Sequence, residues 1–165
     1  TMPTRRTLIT NALAAAALAP ALVSHRAMAA IAEGPFEVTR TEAEWRSMLS
    51  DLQYAVMREG ATEPAYTSDL LAEQRGGLYH CRGCDLPLYD SAVKYDSGTG
   101  WPSFWDVLPD AIGTMEDRQL LVMVRTECHC RRCGSHLGHI FEDGPEPTGL
   151  RHCINGVSLV FRPAA

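Results

Sequence analysis

The chain has 165 residues, 45% of them hydrophobic and 21% charged, with a formal net charge of −5. That length fits one domain with room for a real hydrophobic core. The acidic balance opposes nucleic-acid binding, which needs a basic footprint.

Thr4-Arg5-Arg6-Thr7-Leu8-Ile9-Thr10 pairs two arginines with a following apolar residue, an Ala/Leu-rich stretch runs from Asn11 to Val23, and Ala27-Met28-Ala29 has the small-x-small form of a cleavage site. Basic, apolar and small-residue regions in that order describe a secretory signal peptide over 1–29. The paired arginines point to the twin-arginine route, a receptor-read address for folded cargo and not an anchor. The apolar stretch is short for a membrane span, so no membrane anchor is expected. Its bland alternative is an amphipathic or disordered tail. Removing 1–29 takes away Arg5, Arg6 and Arg26 and no acid, so 15 Lys and Arg become 12 against 20 Asp and Glu, and residues 30–165 carry −8. The expected address is the periplasm or another exported compartment.

Residues 30–40 read as an irregular lead-in. Thr41-x-x-Glu44 is a capping box opening a short helix with Trp45, Met48 and Leu49, and Ser50-x-x-Gln53 opens a second with Leu52, Ala55 and Val56 on its apolar side, stopped by Gly60. Residues 61–74 read as a long loop. Leu78 to Cys81 reads as a strand entering a first Cys-x-x-Cys knuckle and Leu86 to Tyr89 as one leaving it; 96–102, rich in Gly and Ser, is a loop. Leu120 to Glu127 is a strong strand that reaches Cys128-His129-Cys130 at a second knuckle, and Ser135–Phe141 and Ile154–Phe161 are further strands around a turn-rich connector over 143–149. The chain is therefore mostly β, antiparallel, behind two short helices.

Six cysteines divide unevenly. Cys81/Cys84 and Cys130/Cys133 have the ligand spacing of a tetrahedral zinc site, which would close a loop of roughly 45 residues and turn metal affinity into folding free energy. In an oxidising compartment the alternative is two disulfides. A four-thiolate zinc has no open position for catalysis. A zinc deaminase is excluded because the chain has no His-x-Glu element.

Cys128 and Cys153 remain. Cys153, two residues after Arg151 and downstream of His136 and His139, is the expected working thiol, since neighbouring cations favour a thiolate. A free thiol titrates at about 8.5, and lowering that by about two pH units takes about 2.7 kcal/mol. Its bland alternative is a buried core cysteine. His139 or His136 is the expected acid, because imidazole titrates near neutrality. Asp143 is read as orienting that acid or holding a water, and otherwise as a turn residue before Gly144. Asn155 offers a hydrogen bond without charge, or caps a strand end. Cys128 either resolves an oxidised Cys153 through a disulfide or is an inert strand residue.

Gly60-Ala61-Thr62-Glu63-Pro64, Cys81-x-x-Cys84, the run from Asp96 to Phe104 (Asp-Ser-Gly-Thr-Gly-Trp-Pro-Ser-Phe), the run from Cys130 to His139 (Cys-x-x-Cys-Gly-Ser-His-Leu-Gly-His), Asp143-Gly144-Pro145 and Arg151-His152-Cys153-Ile154-Asn155 follow in this order. With them the chain resembles the methionine-R-sulfoxide reductases, the B-type family acting on the R epimer of methionine sulfoxide. The resemblance implies two small antiparallel β-sheets (a β-tent-like arrangement) with short N-terminal helices and a structural zinc on Cys81, Cys84, Cys130 and Cys133. It implies thiol-dependent reduction of oxidised peptides and proteins through a Cys153 sulfenic acid, with a thioredoxin-like protein as reductant. Cys153 matches the catalytic cysteine; His136, His139, Asp143, Arg151 and Asn155 match the polar ring around the sulfoxide. Trp101 matches the aromatic that receives the substrate methyl, and Phe141 is the second expected substrate-binding residue. Many members carry a resolving cysteine where this chain has Thr99, so the recycling route does not transfer. Nothing demands more than a monomer. The rival function is a zinc-stabilised binding module of related fold without chemistry.

Overall fold

Two capping boxes start the fold. Thr41 caps helix α1 (Glu42–Met48) and Ser50 caps helix α2 (Asp51–Glu59), each with the side chain at the third helical position reaching back to the cap backbone. Gly60 ends α2 at φ 73°, a left-handed conformation that costs glycine nothing. The computed structural model describes residues 29–120 and 123–165. The expected signal peptide thus lies outside the described residues except for Ala29. Among the described residues no helix is long and apolar enough to cross a membrane.

All strand pairings are antiparallel, in two sheets. Strands β1 (Gly77–Cys81), β2 (Pro87–Asp90) and β9 (Leu159–Pro163) form a small sheet in the order β2-β1-β9. Strands β3 (Lys94–Tyr95), β4 (Ser103–Phe104), β5 (Ile112–Leu120), β6 (Met123–Cys130), β7 (His136–Phe141) and β8 (Arg151–Ile154) form the larger one in the order β3-β4-β8-β7-β6-β5. The mostly β, two-sheet architecture with short N-terminal helices is the one expected. The core contains Tyr79, Tyr89 and Phe104, all fully buried; Tyr89 stacks on Phe104 at 4.3 Å and Tyr79 meets it edge-on at 5.0 Å.

Local details depart from the sequence reading. The apolar run from residue 120 is not one strand beginning there: Leu120 closes β5 opposite Met123, which opens β6. The nine-residue β5, Ile112 to Leu120, went unread because the four consecutive polar residues Glu116 to Gln119 break the polar/apolar alternation that marks a strand. Ile154–Phe161 is also not one strand. The Gly156 and Val157 N–H groups donate to the Glu63 carboxylate instead of to a ladder, at 2.6 and 3.0 Å, and a 3-10 turn separates β8 from β9. On α2 the buried residues are Tyr54, Val56 and Met57 while Leu52 is exposed, and on α1 Met48 is exposed; a helix this short covers its partner with a narrower stripe than the periodicity suggested.

The helices brace the two knuckles. Trp45 lies between the guanidinium groups of Arg40 and Arg58, 4.8 and 4.7 Å from its ring. Arg40 donates to the Gly83 carbonyl in the first knuckle and Arg58 to the Cys133 carbonyl in the second. The knuckles repeat one turn: Asp85 N–H donates to Cys81 C=O and Gly134 N–H to Cys130 C=O, both at 2.8 Å, with the donor residue left-handed at φ 61° and 66°.

Candidate active site

One face of the large sheet carries the polar groups. Tyr95 pairs with Ser103, Ser103 with Cys153, Cys153 with His139, and His139 with Glu127. Directly paired residues share a face, so these five form a row across five strands. Arg151 and Phe141 lie two positions along the same face of β8 and β7 and are themselves paired; the guanidinium sits 4.4 Å from the ring centroid.

A cavity of about 130 Å³ opens on this face, walled by Trp101, Phe141, His139, Cys153 and Asn155, with Thr62, Arg125 and Gly138 completing it. Five expected site residues therefore meet. Trp101 is held by its indole N–H donating to the Glu63 carbonyl at 3.1 Å. The Asn155 amide serves the backbone, accepting from Glu63 N–H at 2.9 Å and donating to the Leu137 carbonyl at 3.0 Å. Gly138 is small for a reason: a Cβ there would meet the Cys153 carbonyl oxygen at 2.0 Å.

His136 is brought beside the cavity, not into its lining. In a regular strand, residues three apart face opposite ways. A bulge between Cys128 and His129 shifts the β6–β7 register and puts both histidines on one face, ring centroids 5.5 Å apart. His136 Nδ1 lies 2.7 Å from one oxygen of the fully buried Glu127, and His129 Nδ1 lies 2.8 Å from the other. Burial pushes the Glu127 carboxyl up, and the two imidazoles outweigh it to leave it below its usual value. His139 Nε2 is 2.8 Å from Asp117 Oδ2, which also accepts from Arg125 at 2.5 Å. With Nε2 so committed, Nδ1 is the nitrogen left to exchange a proton with a bound oxygen. Burial lowers the His139 pKa, and Asp117 opposes the shift. Asp143 lies in the exposed loop, where both its oxygens accept from Arg151 at 2.8 Å. Its contact is thus with the arginine beside the thiol.

The Cys153 thiol departs from expectation. Burial pushes its pKa up; Arg151 and a hydrogen bond from Thr99, whose Oγ1 is 4.0 Å from Sγ, pull it down but do not prevail. The expected outcome is that alkylation by an uncharged reagent is slow at pH 7. Its rate should rise about tenfold per pH unit to beyond the ordinary thiol value, because only the thiolate reacts and burial raises the pH at which it forms. A rate plateau reached below pH 7 would contradict this.

Cys128 is fully buried two strands from Cys153. It pairs with Gly138, which pairs with Ile154, while Cys153 pairs with His139. Two strand spacings put their Cα atoms about 10 Å apart, beyond the roughly 7 Å limit for a disulfide, and the adjacent rows point to opposite faces. Of the two readings of Cys128, this geometry favours the inert strand residue over the resolving thiol: Cys128 faces the Tyr89 side, and burial drives its thiol well above the usual range.

Sγ atoms of Cys81, Cys84, Cys130 and Cys133 all lie within 4.8 Å of one another, with 3.7 Å between Cys81 and Cys133 and 3.5 Å between Cys84 and Cys130. A disulfide needs about 2.05 Å, so the pairing alternative falls. A tetrahedron with Zn–S of about 2.3 Å has edges of about 3.8 Å. The cluster fits such an ion.

Sequence reasoning missed Asp117, Arg125 and Glu127. The available signal was charge at alternate positions of two neighbouring strands: Asp117 pairs with Arg125 across the hairpin, and Glu127 lies two residues on. Asp117→Asn should lower turnover about tenfold or more per folded molecule, since it removes the carboxylate that fixes the His139 tautomer, and should lower the melting temperature because Arg125 loses its buried partner; steady-state rates on the folded variant check it.

A knuckle-stapled β scaffold that presents one thiol beside an imidazole in an aromatic-walled cavity is the arrangement of a cysteine-based enzyme. The SelR domain matches residues 49–163. Over 137 residues, 82% of this chain and 99% of the relative, it is 49% identical to a peptide methionine sulfoxide reductase MsrB of Methylibium petroleiphilum. It is 50% identical over 128 residues, 77% of this chain and 96% of the relative, to that of Pseudomonas putida strain W619. With the MsrB of Methanosarcina mazei it shares 48% over 126 residues, 76% of this chain and 89% of the relative. The chain belongs to the MsrB family of peptide methionine sulfoxide reductases.

Proposed function

We propose that the chain reduces the R epimer of methionine sulfoxide in oxidised peptides and proteins, with Cys153 as nucleophile. One observation carries this reading: the Cys153 row places a thiol next to His139 in a cavity walled by Trp101 and Phe141. Trp101 and Phe141 seat the methyl group. His139 protonates the sulfoxide oxygen as the Cys153 thiolate attacks sulfur. The Sγ–S bond so formed breaks as the oxygen passes from the substrate sulfur to Sγ, leaving Cys153 as sulfenic acid and releasing methionine; the substrate sulfur gains two electrons and Cys153 loses two. Because burial raises the thiol pKa and lowers that of the imidazole, substrate binding and Arg151 must favour the charged pair. An external thiol, by family analogy from a thioredoxin-like protein, then forms a mixed disulfide with loss of water, and a second thiol frees Cys153.

The four-cysteine cluster holds one structural zinc. The protein acts as a monomer after export by the twin-arginine route. Changing Arg5 and Arg6 to Lys in the full chain should then retain it inside the cell, measured by fractionation; unchanged export would remove the address. The experiment for the activity presents separate R and S epimers of a blocked methionine sulfoxide with excess dithiol. Turnover of R alone is expected. No turnover by folded protein would overturn the reading and leave a binding module.

A further inference from the structure

Tyr95 ends the active row. It pairs with Ser103, which pairs with Cys153, so its side chain stands on the same face as the thiol, two strands away, on the side opposite His139. Two strand spacings are about 10 Å, and the phenol is near enough to the thiol for the two to influence each other's charge. The hydroxyl is shielded from solvent and, among the described residues, has no hydrogen-bond partner. Its row neighbour Ser103 bonds elsewhere, to the Ser97 hydroxyl at 2.7 Å and the Trp101 carbonyl at 3.1 Å. The phenol also lies in the field of the site. Burial raises its pKa, Arg151 lowers it, and Asp143 and Cys153 raise it; Arg151 in turn responds to Tyr95. A buried, unpartnered donor is costly unless something completes it during function. Tyr95 does not line the sulfoxide cavity but borders a separate one with Lys94, Glu73 and Trp101; of the groups in its own row, Cys153 is the one that the reaction changes.

We infer that the Tyr95 hydroxyl is a binding group for the Cys153 sulfenic acid, donating a hydrogen bond to the oxygen that Cys153 receives from the substrate. The inference rests on the function proposed above. The oxygen now bonded to Cys153 Sγ is the only atom the reaction adds to this side of the thiol. A donor on that oxygen draws electron density from sulfur. It makes the sulfur a better target for an incoming thiol and a poorer nucleophile toward peroxide. The resolving step is balanced as thiol plus sulfenic acid giving mixed disulfide plus water, the departing oxygen leaving with the thiol's proton and the one it already carries. Thr99 stands on the same side, 4.0 Å from Sγ, where it offers no thiol of its own. The sulfenic acid must therefore wait for an external reductant, and a group that holds it in a reducible form matters more here than in a chain with an internal partner.

The test is Tyr95→Phe, which keeps the ring and removes only the hydroxyl, in otherwise intact, zinc-loaded protein. Three rates are read. One is methionine formed in the first turnover without reductant. The others are reaction of the resulting sulfenic acid with a small thiol, and its conversion to sulfinic acid by hydrogen peroxide, followed by mass. Loss of one neutral hydrogen bond corresponds to roughly a fivefold change. The expected result is first-turnover methionine unchanged, thiol resolution about fivefold slower and sulfinic acid formation correspondingly faster. Unchanged resolution and overoxidation would overturn the inference and leave the hydroxyl to a bound water. A slower first turnover with normal resolution would also overturn it, moving Tyr95 to the substrate. Absence of any methionine from the unmutated protein is the separate failure of the function itself. Should the variant fold poorly, 3,5-difluorotyrosine at 95 keeps ring and hydroxyl but donates more strongly, and faster thiol resolution is then expected; no change would equally overturn the inference.

Discussion

Cys153→Ser should abolish turnover of the R-sulfoxide, by about 10³-fold or more, while leaving zinc content and melting temperature close to those of the parent. A nucleophile that acts as part of a unit is not replaced in part, and a serine hydroxyl is far harder to ionise than a thiol already disfavoured by burial. No neighbour can substitute. Four of the remaining cysteines lie in the knuckles, and Cys128 is across the sheet on the opposite face. The same geometry gives the companion result: Cys128→Ser should retain turnover with an external thiol within about twofold, because its Cα lies beyond the reach of a disulfide. Steady-state rates of both variants with a small dithiol check the pair. Residual activity in Cys153→Ser would move the chemistry to another residue; a collapse in Cys128→Ser would require the sheet to open during the cycle.

What could be read from the sequence was the part encoded by local rules. Capping boxes at Thr41 and Ser50 fixed both helix starts because the signal and the structure are the same hydrogen bonds. The Cys-x-x-Cys spacing anticipated the cluster because a knuckle is a local turn. The β5–β6 hairpin was harder. Its boundary depends on register between strands, and the apolar run around residue 120 spans the end of one strand and the start of the next. The division of β8 from β9 was hidden because its cause, the Glu63 carboxylate, lies about ninety residues away in sequence.

The site follows the same division. Cys153, His139 and Trp101 could be named from motifs, whereas the groups that tune them come from sheet pairing. Asp117 reaches His139 across the intervening strand β6, and Glu127, which shares a face with His129 two residues along its own strand, also holds His136 only because a bulge turns that histidine to the same face. The thiol pKa shows the limit most clearly. Arg151 is near in sequence and favours the thiolate, but burial of Cys153 on an intermediate strand is a property of the assembled sheet, and it prevails in the resting enzyme.

Removing the zinc proposed for the four-cysteine cluster should cost most of the fold. The Sγ cluster joins the end of β1 to the end of β6, so it pins the three-stranded sheet to the six-stranded one. Apparent zinc affinities of such sites correspond to about 10–16 kcal/mol, while a whole domain of this kind is stable by about 5–15 kcal/mol. Even a fraction of the former is a large share of the latter. Loss of about 4 kcal/mol would lower the melting temperature by roughly 8–16 °C for a chain of this size, and Cys130→Ala or exhaustive chelation should do at least that. Arg40, Trp45 and Arg58, which brace both knuckles, should loosen with it. The activity should fall in step with the folded fraction and not ahead of it, because four thiolates leave the ion no open position for substrate. Metal content, thermal melting and R-sulfoxide turnover measured on the same chelated samples separate the cases. A metal-free protein that melts like the parent would refute the structural role, and one that stays folded yet loses turnover would make the ion a participant in the reaction.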